Sequence, residues 1–240
     1  MRIALIGYGA MGQLVATEAR NAGDEIGVTF SSRDAARSIS ELSTELRGHD
    51  VAIDFSVAGG VLKNIEACAR SGVALVEGTT GWNALESEAR RLISEHHGAL
   101  VYGANFSIGV NVFYRMVANA SSLFASIDRY DPFIEEAHHS RKRDAPSGTA
   151  LRLRALMNER LEREVPIAST RAGYIPGTHR VGFDSAADQI TLTHTARSRE
   201  GFAAGALLAA RWILERKGMY EFTEVIDEIL NGRPETSAKT

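Results

Sequence analysis

Met1-Arg2-Ile3-Ala4-Leu5-Ile6-Gly7-Tyr8-Gly9-Ala10-Met11-Gly12 is an apolar run of strand length followed at once by G-x-G-x-x-G. In a strand–turn–helix unit Gly7 permits the tight turn, Gly9 lets backbone approach a pyrophosphate, and Gly12 allows close helix–strand packing. The helix that begins there offers unpaired N–H groups and the positive end of its dipole to the anion. Taken without its surroundings, the motif also fits an ordinary glycine-rich turn. The order of elements selects dinucleotide binding, with Gly7, Tyr8, Gly9, Ala10, Met11 and Gly12 as cofactor-binding residues.

The alternation continues beyond this unit. Strands are expected at Arg2–Ile6, Glu25–Phe30, Val51–Phe55, Val73–Val76 and Leu100–Tyr102, with helices at Met11–Ala22, Gly60–Ser71 and Asn83–His97. Such alternation argues for a parallel sheet with helices on both faces. Gly109–Ser126 reads as a longer helix that carries the chain out of this domain. From Tyr130 the character changes. A strand at Pro132–His138 leads through a charged loop to a helix at Ser147–Arg163. Ala168–Ala172, His179–Asp184 and Gln189–Ala196 then look like antiparallel strands of a half-covered sheet. Helices at Phe202–Lys217 and Glu221–Leu230 follow, and the polar tail Asn231–Thr240 is expected to fray.

The fold class expected is α/β, an N-terminal Rossmann-type parallel sheet domain plus a smaller α+β domain with a mixed or antiparallel sheet. Residues 1–107 and about 216–240 would form the dinucleotide-binding domain, and 108–215 the substrate-binding domain. Segments Ser107–Gly109 and Glu200–Phe202 are the expected hinges of a domain closure.

Composition narrows the classes of function. The chain has 240 residues and a formal charge of −3, which makes nucleic acid an unfavourable partner. Its single cysteine, Cys68, excludes an internal disulfide framework and suits a reducing compartment. No apolar run reaches bilayer length, and the N-terminus reads as a strand rather than a signal peptide. A cytoplasmic protein with no membrane partner is expected.

At the end of the second strand an acidic residue would hydrogen-bond the ribose hydroxyls of NAD. Thr29-Phe30-Ser31-Ser32-Arg33 stands there instead. Two hydroxyls and a guanidinium suit a 2′-phosphate, so NADPH is the preferred cofactor over NADH and Arg33 is its determinant. The alternative is that Arg33 merely begins an exposed segment, partly neutralised by Asp34. Two more loops follow strand C-termini, where open α/β sheets bind ligands. Gly78-Thr79-Thr80-Gly81 and Gly103-Ala104-Asn105-Phe106-Ser107 could approach a nicotinamide closely. Gly78, Thr79, Thr80, Gly103, Ala104, Asn105 and Phe106 are therefore cofactor-binding candidates.

Glu136-Ala137-His138-His139-Ser140-Arg141-Lys142-Arg143-Asp144-Ala145-Pro146-Ser147-Gly148-Thr149-Ala150 carries the densest chemistry. Ser147 is a good N-cap, which puts Gly148 and Thr149 in the first helical turn with N–H groups for a carboxylate. With Arg141, Lys142 and Arg143 nearby, the segment describes a pocket for a small anion. Adjacent histidines on a strand point to opposite faces, and a basic triplet is often just a solvated loop. The spacing matches no zinc cluster, so no metal is expected.

This segment resembles the E-x-H-H-x-x-K-x-D-A-P-S-G-T-A pattern of dihydrodipicolinate reductases, matched from Glu136 to Ala150 without a gap. The glycine motif, Gly78–Gly81, Ala104–Asn111, Arg171-Ala172-Gly173, Gly177-Thr178-His179, Thr193–Ala196 and Ser198-Arg199 fit the same family in order. The resemblance spans nearly the full length, and its clearest departure is the missing acid after the second strand. It implies NAD(P)H-dependent reduction of 4-hydroxy-tetrahydrodipicolinate, or its dehydrated form, in lysine and diaminopimelate biosynthesis. The substrate would be a small cyclic dicarboxylate and the assembly a homotetramer built through the second domain. The resemblance further implies Lys142 as proton donor and His138 as its catalytic assistant. His139, Ser147, Gly148 and Thr149 would hold the substrate carboxylates. Arg141 and Arg143 are the cations expected to ease proton release from Lys142. Another amino-acid or keto-acid dehydrogenase would share the first domain but lack the His-His-x-x-Lys and Ser-Gly-Thr combination. A nucleotide sensor would have lost the charged groups that are present here.

Overall fold

Apolar runs and helical segments alternate in the computed structural model much as they do in the sequence, over the described residues 1–232. The elements β1 (Arg2–Ile6), α1 (Ala10–Asn21), β2 (Glu25–Phe30), α2 (Ile39–Leu46), β3 (Val51–Asp54), α3 (Val61–Ser71), β4 (Ala74–Glu77), α4 (Glu86–Glu95) and β5 (Ala99–Tyr102) follow in turn. Next come α5 (Ile108–Phe124), β6 (Asp131–His138), α6 (Gly148–Leu161), β7 (Ile167–Arg171), β8 (Thr178–Asp184) and β9 (Gln189–Thr195). Then α7 (Glu200–Ile213), β10 (Gly218–Glu221) and α8 (Phe222–Asn231) complete the described chain. The chain divides into two units, one running to Ile108 and resuming at Arg199, the other formed by Gly109–Ser198.

The first unit is a six-stranded parallel sheet in the order β10-β5-β4-β3-β1-β2. Every residue of β3 and β4 is buried, as expected where helices cover both faces. The period of two sorts the side chains between the faces. Ile3, Leu5, Ile53, Val76 and Val101 meet α1, α7 and α8, while Ala4, Ala52, Leu75 and Leu100 meet α2, α3 and α4. The order reverses at β1 and β3, the switch point where ligands bind in such sheets.

Several expectations are revised here. The eight-residue helix α2 was not expected; it is fixed by a capping box in which Ser38 and Glu41 bond each other's backbone. The helix anticipated at Asn83–His97 begins instead as a 3-10 turn at Asn83–Leu85, before α4. The helix anticipated to Lys217 ends at Ile213, and β10 adds a sixth strand beside β5. The chain also returns to the first unit at Arg199 rather than near residue 216. The cause is the alanine-rich face of α7, since Ala203, Ala206, Ala209 and Ala210 are all fully buried in the first unit's core. The expectation for the tail lies mostly outside the described residues.

The second unit is a four-stranded sheet in the order β7-β6-β8-β9. Its strands β6, β8 and β9 are antiparallel neighbours and β7 runs parallel to β6, so the sheet is the mixed one of the two expected kinds and only the antiparallel reading of Ala168–Ala172 is corrected. The physical reason is α6, which carries the chain back across the sheet between them. Ile134, Val181 and Phe183 pack against Phe113 and Val117 of α5 and Leu153 and Met157 of α6. The opposite face carries short exposed side chains, among them Thr170, Thr191, Thr193 and Thr195.

Within the first unit a Cβ on Gly205 of α7 would lie 1.7 Å from the Phe106 carbonyl oxygen. Gly205→Ala should therefore cost about 1–3 kcal/mol through forced separation of α7 and this loop. Urea denaturation of both proteins checks this, and an unchanged midpoint would contradict the close packing.

Candidate active site

The glycine turn is built by exclusion. Gly7 has a φ of +86°, and a Cβ there would meet the Phe55 carbonyl oxygen at 2.4 Å. One on Gly12 would lie 2.1 Å from the Gly7 oxygen, so the turn closes only without side chains at either position. Gly9 is different, because nothing lies within 4 Å of a Cβ built there. It caps α1 without a side-chain bond, leaving the first-turn N–H groups facing open space beside exposed Tyr8 and Ala10. These are the features a pyrophosphate requires, and the residues fit a nicotinamide dinucleotide.

Arg33 is exposed just beyond β2. Asp34 folds back so that its carboxylate accepts from the Ser31 N–H at 2.8 Å and pairs with Arg37 at 3.0 Å. The hydrogen bonds of Asp34 thus go to the Ser31 cap and its ion pair to Arg37, while Arg33 acts on it only as a nearby charge. The same box engages the Ser31 hydroxyl. A cavity of about 90 Å³ is lined by Thr79, Thr80, Gly103 and Ala104, together with Trp82, Tyr102 and Glu221. Asn105 accepts from the Ser107 N–H through its side-chain oxygen at 2.9 Å, which shapes the second loop. The Phe106 ring is buried against Phe222 and Phe55 and braces the loop from inside, which leaves its backbone as the part that could meet a nucleotide.

In the second unit, β6 alternates Ile134, Glu136 and His138 onto the covered face. Glu136 is fully buried and accepts a two-pronged ion pair from Arg171 at 2.7 and 2.8 Å. It also accepts from the Ser147 N–H at 3.3 Å and from His138 Nδ1. Burial works against its charge, but Arg171, Ser169 and His138 hold the carboxyl down at about 2. A carboxylate only accepts, so the His138 proton resides on Nδ1 and Nε2 keeps its lone pair. Burial pushes His138 below the usual imidazole range, although Glu136 opposes this.

His179 of β8 stands 5.1 Å from the His138 ring, and its Nε2 is 3.0 Å from the Ser147 hydroxyl. Burial, aided by the charge of nearby His138, depresses its pKa to about 4. Ser147 caps α6 as expected and accepts from the Ala150 N–H at 3.2 Å. Gly148 is exposed in the first turn, and half-buried Thr149 bonds Tyr114. His139 leaves the strand on the other side of the backbone from His138, with its Nδ1 buried and unpartnered. Lys142 pairs with Asp144 at 2.8 Å, an anion beside it that the expectation of neighbouring cations did not include. Arg141 instead lies over the Tyr174 ring at 5.9 Å.

The structure therefore gathers His138 and Ser147 directly, and adds Glu136, Arg171 and His179, which were not among the candidate site residues. Glu136, His138 and His179 each offer a donor atom within 4.8 Å of the others. Both oxygens of Glu136 are nevertheless already occupied by N–H donors.

Residues 1–106 match the family model for the N-terminus of dihydrodipicolinate reductase, and residues 109–226 match that for its C-terminus. The 4-hydroxy-tetrahydrodipicolinate reductase of Christiangramia forsetii is 35% identical over 248 residues, covering 95% of this chain and 99% of the relative. That of Methanosarcina barkeri is 34% identical over 266 residues, covering 94% and 99%. A dipicolinate-bound dihydrodipicolinate reductase from Paenisporosarcina sp. TG-14 has the same fold, with a TM-score of 0.77 at 22% identity, covering 92% of this chain and 97% of that one. No helix among the described residues is long and apolar enough to cross a membrane.

Two tests follow from the buried charges. Arg171→Met leaves Glu136 uncompensated and should cost about 3–5 kcal/mol in chemical denaturation. Both His179 and Glu136 have depressed pKa values in the fold, so the native state binds fewer protons than the unfolded chain. The stability these two groups contribute should be complete above 6.5, fall toward pH 4 as His179 is protonated, and fall again from 4.5 toward 2 with Glu136. His179→Asn should shrink the upper limb, to which His138 and His194 also contribute through their lowered pKa values, and a limb of unchanged size in that variant would contradict the assignment.

Proposed function

The chain belongs to the dihydrodipicolinate reductase family, and from that premise we propose which residues carry its reaction. The activity is the NAD(P)H-dependent reduction of 4-hydroxy-tetrahydrodipicolinate to tetrahydrodipicolinate, in the biosynthesis of diaminopimelate and lysine. The observation that carries the residue assignment is the convergence of His138 and of Ser147, at the start of α6, on Glu136, with Lys142 four residues beyond His138.

When bound, the reduced nicotinamide supplies the hydride. Gly7–Gly12 would hold the pyrophosphate, and the loops Gly78–Thr80 and Gly103–Phe106 would receive the nicotinamide end. Ser147 fixes the start of α6, so that the N–H groups of Gly148 and Thr149 receive a substrate carboxylate, with His139 beside them. Lys142 delivers the proton that completes the reduction, leaving its pair with Asp144 to do so. His138, held by Glu136 with its Nε2 lone pair available, assists that transfer. The cyclic dicarboxylate suits this cationic end of the second unit.

NADPH is the preferred cofactor in this reading. Its support is the exposed guanidinium of Arg33 and the diversion of the nearest acid, Asp34, to Ser31 and Arg37. A homotetramer through the second unit is supported by the exposed, threonine-rich face of its sheet. Light scattering tests it. The buried free thiol of Cys68, raised further by burial, suits the cytoplasm.

Oxidation of each nucleotide, followed while substrate is generated by a coupled synthase, tests the chemistry. Lys142→Ala should lower kcat by about 10²–10⁴-fold with nucleotide affinity retained, and full turnover would remove Lys142 from its role. Arg33→Ala should raise KM for NADPH on the order of tenfold while leaving NADH nearly unchanged. An equal effect on both cofactors would remove Arg33 as the determinant.

A further inference from the structure

Two carboxyls at the ends of β3 and β4 take no part in the reduction described above. Asp54 and Glu77 are in register on adjacent strands, and both are fully buried. Asp54 Oδ1 accepts from the Ser56 N–H at 2.8 Å and from the Thr79 hydroxyl at 3.3 Å. Its Oδ2 accepts from Asn64 at 2.7 Å. Glu77 Oε1 accepts from the Thr79 N–H at 2.7 Å. Glu77 Oε2 is buried, and no N–H or O–H reaches it.

Three of these four oxygens are supplied with donors and the fourth has none. Two charged carboxylates side by side without water are strongly disfavoured. A proton on Glu77, hydrogen-bonded within the pair, completes the arrangement. Among the described residues no lysine or arginine is paired with either carboxyl. The titratable groups packed around them are the Cys68 thiol of α3 and Tyr102 of β5, whose hydroxyl donates to Glu86 of α4 at 3.1 Å. Burial raises both carboxyls, and the charge of Asp54 raises Glu77 further, well above the usual range.

The pair's bonds all end on the loops after β3 and β4, or on the helix behind them. Ser56 N–H also donates to the Thr79 hydroxyl at 3.0 Å, which ties one loop to the other. Phe55 then links them to the glycine turn, because its carbonyl abuts Gly7 and its ring lies where a Cβ of Gly78 would stand, at 2.2 Å. This is the β1/β3 switch point. Apolar side chains would fill such interior positions without desolvating two acids, so the polar choice calls for a specific reason.

We propose that Asp54 and Glu77 form a positioning pair, sharing one proton, that holds Phe55–Ser56 and Gly78–Thr79 in the arrangement met by the nicotinamide nucleotide. The proposal rests on the reading that this end binds the nucleotide. A raised pKa means that the ordered state is favoured at low pH and weakens as pH climbs through that value. Glu77→Gln keeps an acceptor for Thr79 and a donor for Asp54, but has no proton to lose. Glu77→Leu removes both.

The experiment is fluorescence titration of the wild type and both variants with NADPH at about pH 6 and about pH 9, with melting of the ligand-free proteins alongside. The wild-type Kd should rise on the order of tenfold over this range, and that of Glu77→Gln by less than about twofold. Glu77→Leu should bind weakly at both values while melting cooperatively. Parallel pH dependence in wild type and Glu77→Gln, or wild-type affinity in a folded Glu77→Leu, overturns the proposal. If Glu77→Leu does not fold, the comparison with Glu77→Gln still decides. A wild type that binds neither NADPH nor NADH would overturn the nucleotide reading itself, and the proposal with it.

Discussion

The second unit is organised around one buried carboxylate. Taking Glu136 out of water is costly by several kcal/mol, and only a well-formed set of donors can offset that. Arg171 supplies the larger part through a fork-shaped pair at 2.7 and 2.8 Å, because β7 runs beside β6 with Arg171 in register with His138. The remaining capacity of Glu136 is taken by His138 and the Ser147 N–H. Arg171 also donates to the Asp144 carbonyl at 2.6 Å, which pins the loop that carries Lys142. One interaction therefore sets the tautomer of a histidine, the start of a helix and the course of a loop. Replacing either partner disturbs all three at once, which is why a change there is expected to reach beyond local stability.

Much of this was legible in the sequence where the information is local. The strand–turn–helix at Ile6–Gly12 needs only neighbouring residues, and so does the Ser147 cap. The short α2 was missed because two turns of apolar spacing, Leu42 and Leu46, give too little periodicity to stand out. The strand β10 was missed because Gly218–Glu221 is stabilised by pairing with β5 rather than by its own pattern. Sheet register is the least legible quantity, since it joins residues far apart in sequence. Arg171 and His179 could be quoted as parts of motifs, but nothing in the spacing says that they converge on Glu136 and Ser147. Asp144 stood two residues from Lys142 in plain view, yet the basic triplet drew attention to the cations instead.

The two units solve the same problem differently. A buried acid must be paired or neutralised, and Glu136 is paired with a guanidinium whereas Glu77 is neutralised by a proton. The first solution makes the charge permanent over the neutral range and fails when acid discharges it. The second fails in the opposite direction, when alkali removes the proton and leaves two like charges in register. Among the described residues no lysine or arginine is paired with Glu77, whose surroundings are Asp54 in register on β3, the Thr79 N–H and the Cys68 thiol of α3. At Glu136 the sheet has β7 beside it to bring an arginine in. The choice between an ion pair and a shared proton thus follows what each acid's neighbours bring to it: β7 places Arg171 beside Glu136, whereas the strand beside Glu77 brings a second carboxyl.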